Sequence, residues 1–274
     1  MANIKVGIIG GTGMQDWDVF ELKEEKDVVT PYGKPSSKLT LGTVDGLECV
    51  LLNRHGSGHR SSPTYINYRA NVYALHQEGC THILATSACG SLKKECVPGH
   101  FVIIDQFIDR TNKRHTTFYD GEPGSLEGVC HIPMRHPFCA KLREVIVKSC
   151  IEEKVHVHSK GTAITIEGPR FSSYAESHMY RSWGGSIINM TTIPEVCLAH
   201  ELGMLYAVIA MVTDYDCWQE DHEAVHVDYV MKVMKENREK VTRVVAKTLK
   251  AIGDNDWAAE VENAKMIAKT SVML

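Results

Sequence analysis

Two glycine-containing segments with the chemistry of an anion site each follow an apolar, β-branched run. The first is Gly10–Gly13, in which Thr12 adds a hydroxyl donor, and the second is Arg54-His55-Gly56. Glycines let backbone N–H groups approach an anion, and a guanidinium and an imidazole are donors suited to an oxyanion. Ligands of open α/β sheets collect at the carboxyl ends of the strands. The two segments together therefore predict a phosphate-sized site, although either one alone fits an ordinary polar loop.

A pair of carboxylates follows the most apolar run of the chain, Tyr206–Val212. Asp214 and Asp216 are two residues apart, so they face the same side if the extended conformation continues. Such a pair can accept hydrogen bonds from an amino-bearing heterocycle, and one member can carry a proton for a leaving group. The alternative is an Asx turn that ends the strand, followed by a helix N-cap.

One sequence motif is typical of zinc metalloproteases. His222, Glu223 and His226 form a literal HExxH, which on a helix would direct two imidazoles and a general base to one face. The extended version of the motif requires a glycine where Tyr229 stands. The segment is therefore interpreted as a polar helix start with no metal, and a metalloprotease is kept as a distant alternative.

Apolar runs and amphipathic stretches alternate along the chain and must position these residues. The predicted strands are Ile4–Ile9, Cys49–Leu52, Ile83–Thr86, Phe101–Ile104, Thr162–Ile166, Ile187–Met190 and Tyr206–Val212. The predicted helices are Tyr65–Glu78, Phe138–Glu153, Ser172–Trp183, Pro194–Leu202 and Asp221–Ile252. Several strands lack the alternation of a half-exposed sheet. The pattern predicts an α/β fold, a single domain over residues 1–274 with a mixed central sheet flanked by helices.

Composition excludes several classes of protein. The net charge of −4 lacks the basic stripe of a nucleic-acid-binding surface. The longest wholly apolar run, Met204–Val212, has nine residues and is too short for a membrane span. The beginning of the sequence shows no signal-peptide pattern, which predicts a cytoplasmic protein, with the nucleus as a second location. Nine cysteines without a CxxC pair indicate buried thiols rather than a disulfide framework.

Taken together, eight ordered segments along the chain resemble the trimeric nucleoside phosphorylase family. The similarity is greatest to the branch that acts on 5′-methylthioadenosine. The segments are Gly10–Gly13, Arg54–Gly56, Ser87–Leu92, Asp105–Thr111, Gly128–Met134, Thr165–Ser173, Asn189–Thr192 and Thr213–Trp218.

This resemblance implies a trimer that catalyses reversible phosphorolysis of a purine nucleoside. For the nearest branch the reaction converts 5′-methylthioadenosine to adenine and 5-methylthioribose 1-phosphate, which serves purine and methionine salvage. Inorganic phosphate is then a co-substrate, and no cofactor is expected. The implied partners are small molecules and further copies of the chain, without nucleic acid or membrane.

The resemblance also assigns roles to individual residues. The implied phosphate ligands are Thr12, Arg54, His55, Ser87, Ala88 and Thr191. Ser87 stands where related chains usually have threonine. The implied substrate contacts are Met190 under the ribose, Phe171 and Ser172 near the base, and Val227, Met231 and Met273 around the methylthio group. His131 would reach that pocket from a neighbouring subunit. Asp214 and Asp216 would act catalytically, at N7 and at the 6-amino group.

Two positions separate this branch from relatives that use 6-oxopurines. Those relatives carry glutamate and asparagine where this chain has Ser172 and Asp214, and acceptor carboxylates suit a donating 6-amino group. Relatives that bind a 5′-hydroxyl have histidine at the position aligned with Val227. Because His226 is adjacent, a shift of the alignment by one residue would reverse this difference, so the 5′ assignment stays open. A purine nucleoside phosphorylase for adenosine or 6-oxopurine nucleosides is therefore the alternative within the family.

Two further classes remain as alternatives to a phosphorylase. A nicotinamide-dependent oxidoreductase would need a third glycine in the first loop, but Met14, Gln15 and Asp16 follow Gly13. A nucleotide-binding protein without catalysis would use the same loops but would release no free base.

Overall fold

The computed structural model describes residues 4–10, 17, 19–56, 58, 60–221 and 226–274. Its strands are β1 (Lys5–Gly10), β2 (Glu21–Lys26), β3 (Leu39–Val44), β4 (Leu47–Asn53), β5 (His82–Ser91), β6 (Phe101–Ile103), β7 (Gln106–Arg110), β8 (Val129–Cys130), β9 (Val157–His158), β10 (Thr162–Ile166), β11 (Ile187–Asn189), β12 (Leu205–Asp214) and β13 (Val272–Met273). Its helices are α1 (Tyr68–Gln77), α2 (Ala140–Glu152), α3 (Tyr174–Ser182), α4 (Thr192–Glu201), α5 (Val227–Gly253) and α6 (Ala258–Thr270).

One mixed sheet of eleven strands organises the described part of the chain. The main path runs β2-β3-β4-β1-β5-β11-β10-β7, and β12 pairs with β5 and β6 beside it. Strands β4, β1, β5 and β12 are mutually parallel, so their carboxyl ends lie on the same side. Strands β8 and β13 form a separate antiparallel ribbon. The expected α/β fold with a mixed sheet flanked by helices is confirmed.

Strand β12 shows why the central runs lack alternation in the sequence. Tyr206, Val208 and Ala210 pack into the core beneath α1 and α4. Ala207 and Ile209 pack into the second core beneath α2 and α5. Because both faces of this strand are covered, every position from 205 to 212 is apolar and period-two patterning disappears. Burial of each large side chain contributes roughly 1.5–3 kcal/mol.

Capping side chains set the starts of two helices later than predicted. The amide oxygen of Asn67 accepts from the backbone N of Ala70 at 3.1 Å, so α1 begins at Tyr68 rather than Tyr65. Ser173 and Glu176 form a reciprocal capping box, so α3 begins at Tyr174. Helix α5 begins at Val227 rather than Asp221.

Several elements were not predicted from the sequence. Strand β2 has the sequence ELKEEK and is exposed throughout, since it lies at the edge of the sheet and pairs only with β3. Strands β3, β7, β8, β9 and β13 and helix α6 were missed as well. All nine cysteines are free thiols, and none is fully exposed. Within the described ranges no helix has the length and apolar character needed to cross a membrane.

Candidate active site

A cavity of about 240 Å³ opens at the carboxyl ends of β4, β5 and β12, where the sequence predicts a site. Twelve predicted site residues line it: Arg54, His55, Ser87, Ala88, Phe171, Ser172, Met190, Thr191, Asp214, Asp216, Val227 and Met231. Thr12, with the rest of the first glycine loop beyond Gly10, lies outside the described residues.

Arg54 follows β4 directly and is almost fully buried, with 2% of its surface exposed. Its Nη1 donates to the carbonyl oxygen of Thr86 at 2.9 Å, and its Nη2 donates to Glu195 Oε2 at 3.0 Å. Its Nε donates to the other carboxylate oxygen of Glu195. Burial lowers the pKa of Arg54, but the Glu195 carboxylate more than offsets this and raises it. Arg54 therefore stays cationic and offers directed N–H donors, with its charge balanced by Glu195.

Three further polar side chains lie at this anion end of the cavity. His55 Nδ1 lies 2.9 Å from the carbonyl oxygen of Ser61, which assigns a ring proton to Nδ1. The Ser87 hydroxyl, 3.0 Å from the carbonyl oxygen of Ala88, is half-buried on β5. Thr191 lies directly before α4 and is 6% exposed.

The two aspartates lie at the other end of the cavity, where β12 ends. The backbone N of Asp216 donates to Asp214 Oδ1 at 2.9 Å, which is an Asx turn. The chain therefore turns after Asp214, so the extended conformation does not continue and the Asx turn of the alternative interpretation is present. The turn still directs both carboxylates into the cavity. No helix N-cap is formed by either residue, since α5 begins at Val227.

The position of Asp214 depends on a small residue on the neighbouring strand. A Cβ atom at Gly90 would lie 2.9 Å from Asp214 Oδ1, so a larger residue would displace the carboxylate. Asp214 Oδ2 accepts from the Thr213 hydroxyl at 2.7 Å. Asp216 Oδ2 and the Ser172 hydroxyl are buried and form no hydrogen bond of ordinary geometry with the described residues, although the Ser172 and Ser177 hydroxyls lie near enough to Asp216 to lower its pKa. Buried polar atoms of this kind need a partner, and a bound heterocycle can supply it.

Burial also changes the protonation of this pair. The pKa of Asp214 is raised to about 6, mainly by desolvation; the hydrogen bond from Thr213 lowers it and the charge of Asp216 raises it. Desolvation is also the main cause of the raised pKa of Asp216. A carboxyl group with this pKa holds a proton in an appreciable fraction of molecules near neutrality, which suits a general acid.

Arg114 was not found from the sequence, yet it connects the loops around the cavity. Its side chain is 1% exposed. Its Nη1 donates to the carbonyl oxygens of Met190 and Ile193, each at 2.6 Å. Its Nη2 donates to the carbonyl oxygen of Glu167 at 2.7 Å, and its Nε to the Glu167 carboxylate at 3.2 Å. Arg114 thus fixes the Met190 segment relative to the loop that carries Phe171 and Ser172.

The third part of the cavity is apolar. Val227, Val230, Met231 and Met234 line it from the first turns of α5. Val227 is among its described lining residues and His226 is not. None of these four side chains is charged, so the surface that they form suits an alkyl or thioether group.

His131 and Met273 do not line the cavity of their own chain. Met273, which is 65% exposed, pairs with Val129 in the β8–β13 ribbon. The backbone N of the exposed His131 donates to the carbonyl oxygen of Ser271 at 2.8 Å beside the same ribbon. Met273 is therefore not among the residues that line the cavity of its own chain, and its contact with the methylthio group stays a prediction. The ribbon holds the two residues close together on the surface.

The HExxH motif receives no structural support from its described part. His222 and Glu223 lie outside the described residues, and His226 is an exposed residue directly before α5. Within the ranges that the structure describes, no cluster of three His, Cys, Asp or Glu side chains could hold a metal ion.

The two polar ends of the cavity are connected by β5. Thr86, whose carbonyl oxygen accepts from Arg54, and Gly90, which adjoins Asp214, are four residues apart on this strand. A rise of about 3.3 Å per residue gives a span of about 13 Å. An anion bound at one end and a protonated carboxyl group at the other can act on opposite sides of one small molecule.

Comparison with known proteins identifies chains of similar sequence. A family model described as the phosphorylase superfamily matches residues 5–250. The S-methyl-5′-thioadenosine phosphorylase of Ciona intestinalis is 58% identical over 272 residues, which cover 99% of this chain and 97% of that protein.

Two solved structures from Schistosoma mansoni have the same fold. A methylthioadenosine phosphorylase in complex with adenine superimposes with a TM-score of 0.95 at 43% identity, covering 98% of this chain and 99% of that one. A mutant of the adenosine/methylthioadenosine phosphorylase in complex with methylthioadenosine has the same TM-score, identity and coverage.

Proposed function

The chain belongs to the phosphorylase superfamily, and from that premise we propose that it catalyses the reversible phosphorolysis of 5′-methylthioadenosine. The products are adenine and 5-methylthioribose 1-phosphate, so the enzyme is a pentosyltransferase. Inorganic phosphate is the co-substrate, and no cofactor takes part. The observation that carries this proposal is the cavity that places anion donors and a carboxyl pair at opposite ends. Relatives named as methylthioadenosine phosphorylases support it.

At the anion end, Arg54, His55, Ser87 and Thr191 hold phosphate against the ribose face. The bond between C1′ and the purine N9 breaks as a phosphate oxygen forms a new bond to C1′. The sugar passes through a state with oxocarbenium character, as in glycoside hydrolysis. Phosphate itself stabilises this positive charge, so no covalent nucleophile on the protein is required.

At the carboxyl end, Asp214 handles the leaving base. Its proton, retained because burial raises its pKa to about 6, is donated to or shared with N7 as the purine departs. General acid assistance of this type is worth about 10²–10⁴ in rate. Asp216 Oδ2, which forms no hydrogen bond of ordinary geometry with the described residues, accepts a hydrogen bond from the 6-amino group.

The apolar part of the cavity favours a methylthio group over a hydroxyl at the 5′ position of the nucleoside. Val227, Val230 and Met231 present hydrocarbon and thioether surface and no hydrogen-bond donor for a hydroxyl. A methylthio group fits this surface better than the 5′-hydroxyl of adenosine or inosine, because a hydroxyl would lose its hydrogen bonds to water. Activity on adenosine or on 6-oxopurine nucleosides is therefore expected to be weaker.

We propose further that the enzyme is a homotrimer whose sites are completed across subunits. His131 and Met273 lie together on the β8–β13 ribbon and away from their own cavity. Placed against a neighbouring subunit, this ribbon would cover the exposed apolar residues at the mouth, Val227 and Met231. Dilution should then abolish activity together with assembly, and a fully active monomer in light scattering and assay would contradict the arrangement.

The substrate assignment is tested by comparing base release from three nucleosides at equal concentration. 5′-Methylthioadenosine, adenosine and inosine are each incubated with enzyme and phosphate, and free base is separated and quantified. The highest kcat/KM is expected for 5′-methylthioadenosine and the lowest for inosine. A preference for inosine would overturn the assignment of the base and 5′ contacts.

A further inference from the structure

A second cavity of about 530 Å³ adjoins the first on the side of the anion end. The two cavities share Ser87 and Ala88 of β5 and Met231 and Met234 of α5. The second cavity extends from these residues along α5 as far as Thr242. It therefore begins where phosphate binds and runs away from the aspartates that contact the base.

One face of α5 makes this second cavity cationic. Lys232, Lys235 and Arg238 line it at three-residue spacing, and Asp228 is the only acidic side chain among the described lining residues. Lys232 and Lys235 are exposed and form no ion pair with any described residue. The other described lining residues are apolar or carry a hydroxyl, so they add no negative charge beside Lys232 and Lys235.

We propose that this second cavity is the path by which phosphate reaches and leaves its site, and that Lys232 and Lys235 attract and retain the dianion there. The inference rests on the proposed phosphorolysis. Phosphate and nucleoside then use separate openings, so a bound nucleoside does not block exchange of its co-substrate.

Electrostatics favours this path over the main opening. A cationic cleft with low-dielectric walls raises the local concentration of an anion and speeds its association. The mouth of the main cavity carries Val227, Met231 and Phe171, which offer a dianion no charge. An interaction between exposed charges is screened by salt, since the Debye length is about 10 Å at 0.1 M and about 3 Å at 1 M.

The test is the double variant Lys232→Met/Lys235→Met, which keeps the apolar stems and removes the charges. The matched control is Lys160→Met/Lys250→Met, two exposed lysines outside both cavities. At low ionic strength, kcat/KM for phosphate is expected to fall about 3–10-fold in the cavity variant and to stay near the starting value in the control. The KM for 5′-methylthioadenosine at saturating phosphate should be unchanged.

Two further measurements separate a charge effect from a packing effect. The difference between the cavity variant and the unaltered enzyme should shrink below about 2-fold at 0.5 M KCl, because salt screens the lost charges. Lys232→Arg/Lys235→Arg should retain the original kcat/KM for phosphate. A fall in kcat/KM for phosphate that does not depend on salt would overturn the proposal. A rise in the KM for the nucleoside in place of that fall would overturn it as well.

The outcome also distinguishes this inference from the function on which it rests. Phosphate-dependent base release with equal kcat/KM for phosphate in the cavity and control variants would refute the path and leave the phosphorylase assignment intact. Base release by the unaltered enzyme without any phosphate dependence would contradict both.

Discussion

Arg54 and Glu195 form a buried two-point ion pair at the anion end of the cavity, with Nη2 of the arginine 3.0 Å from Oε2 of the glutamate. The Tyr206 hydroxyl donates to the same Oε2 at 3.0 Å. Glu195 thus fixes the plane of the Arg54 guanidinium. The same pairing sets the direction of the N–H groups of Arg54 that do not contact Glu195. Glu195 is a positioning residue that acts through Arg54.

Replacing Arg54 by lysine tests the role of this geometry, because the charge opposite Glu195 is kept while the planar fork is lost. We expect kcat/KM for phosphate to fall about 10- to 150-fold, equivalent to the roughly 1.5–3 kcal/mol of a charge-assisted hydrogen bond. Steady-state kinetics with varied phosphate measures the effect. Arg243→Lys, at an exposed ion pair with Glu153, is the control. Unchanged use of phosphate by Arg54→Lys would show that Arg54 does not contact it.

Arg114→Lys should raise the KM for the nucleoside much more than the KM for phosphate. A lysine cannot replace the separate hydrogen bonds to the Met190, Ile193 and Glu167 carbonyl oxygens. The unfolding free energy should fall by about 2–3 kcal/mol, since buried acceptors lose their donors. Urea denaturation and kinetics on one preparation measure both effects. Lower stability with an unchanged nucleoside KM would limit Arg114 to a structural role.

Asp214→Asn should change the choice between 6-amino and 6-oxo bases. The variant cannot donate a carboxyl proton to N7, so turnover of 5′-methylthioadenosine should fall strongly. An amide can offer a donor and an acceptor to a 6-oxopurine, so activity on inosine should fall less or rise. The ratio of the two activities is expected to shift by about 5- to 150-fold, or roughly 1–3 kcal/mol. An equal loss of both activities would refute the catalytic assignment.

The raised pKa of Asp214 also predicts a pH-dependent stability that needs no substrate. Its pKa is 3.8 ordinarily and about 6 in the folded protein, so ionisation above pH 4 opposes folding. The stability present below pH 4 is therefore lost as the pH rises through about 6. Relative to Asp214→Asn, the native protein should lose about 2–3 kcal/mol of unfolding free energy between pH 4 and pH 7.

Urea denaturation of both proteins across this pH range measures that difference. The exposed Asp254→Asn is the control and should follow the unaltered protein at every pH. A constant difference between Asp214→Asn and the unaltered protein would show that the Asp214 carboxyl group is not perturbed by burial.

The core strands and the local clusters of the site were predictable because their signals are local. Strand β12 is apolar at nearly every position, Asp214 is its last residue, and Asp216 lies two residues further on. Arg54 and His55 follow β4 in the same way. Parallel strands bring the segments at their carboxyl ends to the same edge of the sheet. The order of strands along the chain therefore predicts that these residues lie close together.

The residues that orient the ligands could not be predicted, because their partners are distant in sequence. Glu195 lies 141 positions from Arg54, and Arg114 lies 76 positions from Met190. A single sequence holds no signal for such pairs. The strand pairing of Met273 with Val129 is long-range as well.

The most direct test of the account measures adenine release from 5′-methylthioadenosine with and without inorganic phosphate. Enzyme freed of phosphate by dialysis is mixed with the nucleoside, and adenine and the sugar product are quantified as phosphate is added. We expect release to be negligible without phosphate, to saturate as phosphate rises, and to yield one 5-methylthioribose 1-phosphate per adenine. Equal rates of adenine release with and without phosphate, with free 5-methylthioribose as the product, would contradict phosphorolysis.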